Sequence, residues 1–527
     1  MKHVLRAALC AATLTVFASA VHAATPAWTF TGGDIQFQRV SPLGSLLVSH
    51  GKGLTALDQA TGKALWERAD LKGVKECNYD EIANTPYGLI DGKQFEVIDL
   101  ETGKTKWDSS KLPFKNSSGQ FQVASKRMLV VFGAIRTGMK PIVVGLDTET
   151  GEVKWQQDKL FDKPLHLYEV KGSGKVFKRQ SIAGNQPPAF PDDNSMVVWV
   201  TEDGPTCIDL ATGAKKWVCS GLKGKNPAGV NDGFVPMWAR DGVIYVPYEK
   251  SLQAIDAKTG ALLWAKEKDF RGRPVQMAMS DAGLVVRGTP FLKEDGKPAG
   301  KPFIDCLSPK TGESVWAKPF KDLEDATSFD MKGDHLYICA DGEMHEVSLA
   351  SGTDKILAKF KFKEHEVPSD LELLDDGGFL LTSHQTILKL DGTGKELMRA
   401  YYEAPSTSGW AKLGMTMLTA AVNAAAAGAA YDRAQRTGDD QSYYVVGNSA
   451  LGKRFHASTL AKNSLYILTT VEEGGKKKAG IVRVDRMTGK IVSSVQLNEK
   501  NPEYEVDEIE SMLYFREGDN MIEAYKL

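Results

Sequence analysis

The chain has 527 residues, 42% hydrophobic and 25% charged, with 50 Gly and 22 Pro. That is globular composition, and it excludes disordered, collagen-like and coiled-coil classes. A formal charge of −2, with no basic run longer than Lys476-Lys477-Lys478, excludes the electrostatic footprint of a nucleic-acid binder.

At the N-terminus, Lys2 and Arg6 precede an uncharged apolar stretch, and Val21-His22-Ala23 places small residues where a signal peptidase reads. Residues 1–23 are therefore expected to be a secretory signal peptide, and 24–527 a periplasmic or secreted chain. Cys10 follows Leu9 too early for a lipid-attachment signal. Five further cysteines, Cys77, Cys207, Cys219, Cys306 and Cys339, form no CxxC, no haem-attachment motif and no Cys/His cluster.

From residue 45 onward one unit recurs: short β-rich runs, then Asp, two residues, Thr-Gly, and Trp four positions after the Gly. It reads ALDQATGKALW, VIDLETGKTKW, GLDTETGEVKW, CIDLATGAKKW and AIDAKTGALLW, ending at Trp66, Trp107, Trp155, Trp217 and Trp264. A sixth copy, CLSPKTGESVW, ends at Trp316 with Ser308 in place of Asp. Later copies keep the turn at Gly352, Gly394 and Gly489 but put Ile356, Met398 and Ser493 in the Trp slot. Gly supplies the positive φ of a tight turn, and Asp and Thr bond the turn's own amides. Each unit supplies about four strands, one blade of a β-propeller. Trp is expected to plug the seam between neighbouring blades.

The terminal pair of runs, 512–515 and 521–525, lacks an outer strand. The run 27–30 supplies it, with Trp28 in the Trp slot. The expected fold is all-β, a single closed propeller of four-stranded antiparallel blades, ten by motif count. Cys207 and Cys219 flank one turn on consecutive strands. A disulfide between them is expected if the register brings their Cα atoms within roughly 4.4 to 6.8 Å.

The AxDxxTGxxxW repeat resembles that of the quinoprotein-like, or PQQ-like, propellers, which include BamB-like outer-membrane assembly scaffolds and quinone-dependent dehydrogenases. The resemblance implies eight blades where the count gives ten. It also sets two functional readings side by side. The dehydrogenases hold a quinone and calcium in the axial channel, and many have a disulfide between adjacent cysteines. This sequence has no adjacent Cys pair and no segment clustering acidic and Asn residues. The expectation is a non-enzymatic scaffold with no cofactor, no metal and no catalytic residue, binding protein partners in the cell envelope. The alternatives are a quinone-dependent dehydrogenase and a sensor of a channel ligand.

Turn spacing widens between Gly151 and Gly213 and again between Gly394 and Gly489. With strands A to D running from axis to rim, C–D turns lie on one face. B–C loops and D-to-A crossings lie on the other. The loops 289–301 and 471–480 and the insertions 160–193 and 403–450 thus crowd a single face, where binding is expected. The second insertion contains an uncharged run, 413–431, rich in Ala, Leu and Met. It is expected to be a helix on the propeller face rather than a membrane span. Leu413, Met415, Met417, Leu418 and Val422 are its candidate partner-binding residues.

Overall fold

The computed structural model describes residues 25–527 apart from 83–84, 92–94, 136–140, 162–166, 173–174, 181–187, 192–193, 226–234, 249, 293–296, 322, 364–365, 406–443, 446–463, 474–475, 498 and 500–501. The signal segment 1–23 and the expected helix with its five partner-binding residues lie outside the described residues.

The architecture is a ten-bladed β-propeller of antiparallel sheets, built in chain order from 37–68, 79–108, 114–157, 189–218, 238–269, 273–320, 330–359, 370–401, 464–496 and 503–526. The last blade takes its outer strand from the other end of the chain, since Trp28–Thr31 pairs with Met521–Lys526 in the register Trp28↔Ala524. Blades 4 and 6 complete themselves with single bridges, Ala189↔Val198 in one and Ile304↔Phe320 and Leu307↔Ser314 in the other. First strands of neighbouring blades approach each other, as Phe37–Val40 does Glu503–Asp507, and so line the axis.

A blade in a ring has a neighbour against each face, so its middle strands are buried on both sides. Leu46–His50 and Gly53–Leu57 are buried at every residue, whereas the outer strand Ala64–Arg68 is exposed or half-buried. The core is accordingly a series of seams. One gathers Leu89, Phe95, Val97 and Trp107 of blade 2 with Phe114, Leu129, Val131 and Val144 of blade 3.

The repeat motif makes both the turn and the seam. In blade 1 the Asp58 carboxylate accepts from the Thr61 amide at 2.9 Å and from its hydroxyl at 2.7 Å, while Gly62 N–H closes on the Asp58 carbonyl at 2.8 Å. The Thr61 hydroxyl holds the Asp58 carboxyl below its ordinary pKa. Each Trp then covers the glycine of the next blade's turn. Trp66 lies on Gly103, Trp107 on Gly151, Trp155 on Gly213, Trp217 on Gly260, Trp264 on Gly312 and Trp316 on Gly352; Trp28 lies on Gly62. A Cβ added to any of these glycines would sit 2.4 to 2.8 Å from the tryptophan above it, and φ there lies between +67° and +73°. The indole N–H donates to the carbonyl one residue past the turn's first, as in Trp155 to Leu210 at 2.6 Å and Trp316 to Leu349 at 2.7 Å.

Two expectations fail, each on strand register. Cys207 pairs with Trp217, so Cys219 stands further along the ladder beside Pro205, whose carbonyl accepts its amide at 2.8 Å. Both thiols are free and buried. In blade 7 the bulge lies two residues later than in the tryptophan blades, between Ala358 and Ile356. Leu357 therefore meets Gly394, and Ile356 is 41% exposed.

Trp155→Ala should cost about 3–5 kcal/mol of stability, and Gly213→Ala about 1–3 kcal/mol from strain at its positive φ. In thermal denaturation the double variant should lose less than the sum, because both changes break one contact. Removing residues 24–31 should lower the melting temperature sharply; an unchanged curve would show that ring closure contributes nothing.

Candidate functional site

Strand order places the irregular segments on the face opposite the Thr-Gly turns. The first insertion forms a hairpin, Leu167–Gly172 with Lys175–Gln180, and returns to the seam of blades 3 and 4, where Leu160, Phe161 and Phe190 are buried. The 289–301 loop carries a short hairpin, Phe291–Leu292 with Pro298–Ala299. The 471–480 segment differs from its expected form. It is a ladder, not a loop, with Ser464–Glu473 and Lys476–Asp485 paired along their length and Glu472 opposite Lys477. Alternating β-branched residues and facing opposite charges account for that extension.

The second insertion leaves blade 8 along this ladder. The Glu403 carbonyl accepts from the Thr470 amide at 2.8 Å and the Thr469 hydroxyl at 2.7 Å, and the Ala404 carbonyl from the Thr470 hydroxyl at 3.1 Å. Further on, Tyr444–Val445 pairs with Phe121 and Gln122 on the first strand of blade 3.

The inner strands hold a charged constellation that sequence reasoning missed. Arg39 of blade 1 donates to Glu76 at 2.7 Å and lies 5.9 Å from the centre of the Tyr79 ring of blade 2. Asp80 and Glu81 follow on the same strand of blade 2, 4% and 2% exposed, and Glu505 acts on Arg39 from blade 10. Gln122 of blade 3 donates to the Glu81 carbonyl at 2.7 Å. Burial pushes Asp80 up to about 6, Glu505 to about 7 and Glu81 to about 8. One Glu81 oxygen has no hydrogen-bond partner. These residues lie on four blades and far apart in sequence, so no local motif announces them. Glu81 thus keeps its proton at neutral pH, and the arrangement offers one arginine among carboxylates. Among the described residues no group of three His, Cys, Asp or Glu is placed to hold a metal ion.

On the turn face, a cleft of about 670 Å³ opens where the ring closes. Leu43, Leu65 and Met512 give it an apolar part, and Glu101, Glu510 and Lys526 a charged one. It too joins residues from blades 1, 2 and 10 and left no sequence signal. Among the described residues no helix is long and apolar enough to cross a membrane.

The family model described as outer membrane protein assembly factor BamB, a PQQ_2 repeat model, matches residues 19–163 and 166–319, more than half of the chain. The chain belongs to this family. Among solved structures it is similar to BamB from Moraxella catarrhalis, at 14% identity over 79% of this chain and 95% of that one, TM-score 0.34. It is also similar to dihydro-heme d1 dehydrogenase NirN, at 14% identity over 71% and 66%, TM-score 0.33. A third likeness, to a eukaryotic initiation factor, has 11% identity over 86% and 96%, TM-score 0.42. No curated protein matches the chain. The matched region carries the six complete motifs, Trp66 to Trp316, and the unmatched remainder the decayed turns and the second insertion.

The inner-strand carboxylates set a pH dependence. Their folded pKa values are raised, so between about pH 4, where unfolded carboxylates titrate, and about 8, where Glu81 titrates in the fold, the folded state binds more protons. Stability must fall as pH rises through that window. Glu81→Gln should raise the melting temperature at alkaline pH and change it little at pH near 4. A parallel offset at every pH would remove Glu81 as the cause.

Proposed function

We propose that this propeller is an exported, non-enzymatic scaffold that binds proteins in the cell envelope, with outer-membrane assembly as the setting carried over from its family's description. The observation behind this reading is the segregation of the chain's irregular segments. The first insertion, the start of the second at Glu403, the 289–301 loop and the Ser464–Asp485 ladder lie on one side of an otherwise repetitive ring. A rigid scaffold with variation on one face is a binding architecture. We place the docking centre in 403–450, with Leu413, Met415, Met417, Leu418 and Val422 as its apolar contacts. Flexible Met side chains suit adaptable protein contacts.

The reading is tested by cross-linking in envelope preparations and affinity capture of the tagged chain. Replacing Met417 and Leu418 with Lys should abolish capture and leave melting unchanged. Leu65→Lys, at a 56%-exposed position in the turn-face cleft, should leave both unchanged. Early unfolding of the Met417/Leu418 variant would make these residues a structural cap, and normal capture would remove them from the docking surface. N-terminal sequencing of the exported chain should begin at Ala24. Equilibration with calcium and pyrroloquinoline quinone should give no bound-quinone absorbance; stoichiometric binding would favour the dehydrogenase alternative.

A further inference from the structure

Arg287 lies within strand Gly283–Thr289 of blade 6, every residue of which is buried, and is itself 3% exposed. One terminal nitrogen, Nη2, donates to the Ala326 carbonyl at 2.9 Å, in the crossing to blade 7. The other, Nη1, has no acceptor. Every other strongly buried charge described so far has an opposite charge close by, as Glu81 has Arg39. Among the described residues no carboxylate acts on Arg287; burial lowers its pKa, to about 10, which leaves it a cation at neutral pH. A buried cation without a counter-charge is among the most costly features a fold can carry, and one that persists calls for a partner.

Among the described residues its surroundings supply two unpartnered hydroxyls and no counter-charge. Thr289 is two residues along the strand, on the same face as Arg287, 7% exposed, and its hydroxyl has no partner. Ser328 is 1% exposed, and its hydroxyl is likewise unpartnered. The segment carrying Ser328 is clamped to blade 6 on either side of it. Arg287 holds Ala326, and Gln276, the register partner of Arg287, exchanges two hydrogen bonds with the Phe329 backbone at 3.1 and 3.2 Å. Thr327 between them turns to blade 7, where its hydroxyl accepts from the Cys339 amide at 3.2 Å.

We propose that Arg287 Nη1 and the hydroxyls of Thr289 and Ser328 hold a small monovalent anion of halide size in the seam between blades 6 and 7. A guanidinium edge with two hydroxyls offers only N–H and O–H donors once an anion is present, which is the coordination a halide requires. One positive charge balances one negative charge. The atoms are all buried, which favours a compact ion over a phosphate or an organic acid. Arg287 and Thr289 stand at the loop end of their strand, so the ion would brace the seam directly beneath the face where the irregular segments emerge.

The experiment uses the whole chain. Crystals grown in bromide in place of chloride should show an anomalous peak beside Arg287 Nη1. The melting temperature should rise with the logarithm of chloride or bromide concentration above that in gluconate of equal ionic strength, as for any ligand of the folded state. Arg287→Met should abolish the halide response and the peak. Because that variant could fail to fold, Thr289→Val and Ser328→Ala provide the second test; each should weaken the response while keeping the fold. A water without anomalous signal beside Nη1, or equal melting in halide and gluconate, would overturn the proposal. So would an unchanged halide response in the folded Thr289→Val and Ser328→Ala variants.

Discussion

The ring depends on one contact, an indole laid on a glycine of the next blade. Neither partner is replaceable by a residue of similar class. The glycine is needed twice, because its φ is positive and because a Cβ would overlap the ring. The tryptophan is also needed twice, because its flat face fills the seam and its N–H satisfies a carbonyl that the turn leaves unpaired, as Trp66 does for Leu100 at 2.8 Å. The contact has a direction, each outer strand reaching forward to the following blade. A directional chain of contacts must either end exposed or close, and Trp28 over Gly62 closes it.

Where the tryptophan is lost, other groups take over its packing. Over Gly489 the packing comes from Met398 and Ala400, while the Tyr402 hydroxyl donates to the Gly489 carbonyl at 2.7 Å. Packing by these smaller groups weakens the sequence pattern without opening the seam. This is why the family model stops at residue 319 while the propeller continues to the C-terminus. The long second insertion falls in this same arc of decayed repeats, between blades 8 and 9.

Features set within one hairpin were legible in the sequence. The turn, the Trp slot and the complementary deficit of the two termini are all local or periodic, and they yielded ten blades and their closure. Features set by strand register were not. A bulge displaced by two residues decides that Leu357 and not Ile356 faces the seam, and the pairing of Cys207 with Trp217 sets Cys219 apart from it, yet no residue type in either hairpin marks these registers. Charge constellations were still less accessible. Arg39, Glu81, Gln122 and Glu505 meet because four inner strands converge on an axis, and Arg287 is solitary only in three dimensions.

The same contact explains why variation is confined to one side. The glycine, the accepting carbonyl and the Asp-Thr pair all belong to the C–D turn, so a residue inserted there would displace the surface on which the preceding tryptophan rests. B–C loops and D-to-A crossings carry none of these parts. The hairpin at 291–299 and the one at 167–180 add chain there, while the turns on either side of them keep their register. One face of the ring is therefore held to a pattern by packing, and the opposite face is free to acquire length and chemistry. A fold of this kind separates the surface that keeps it closed from the surface available for recognition, and it does so from the placement of a single glycine in each repeat.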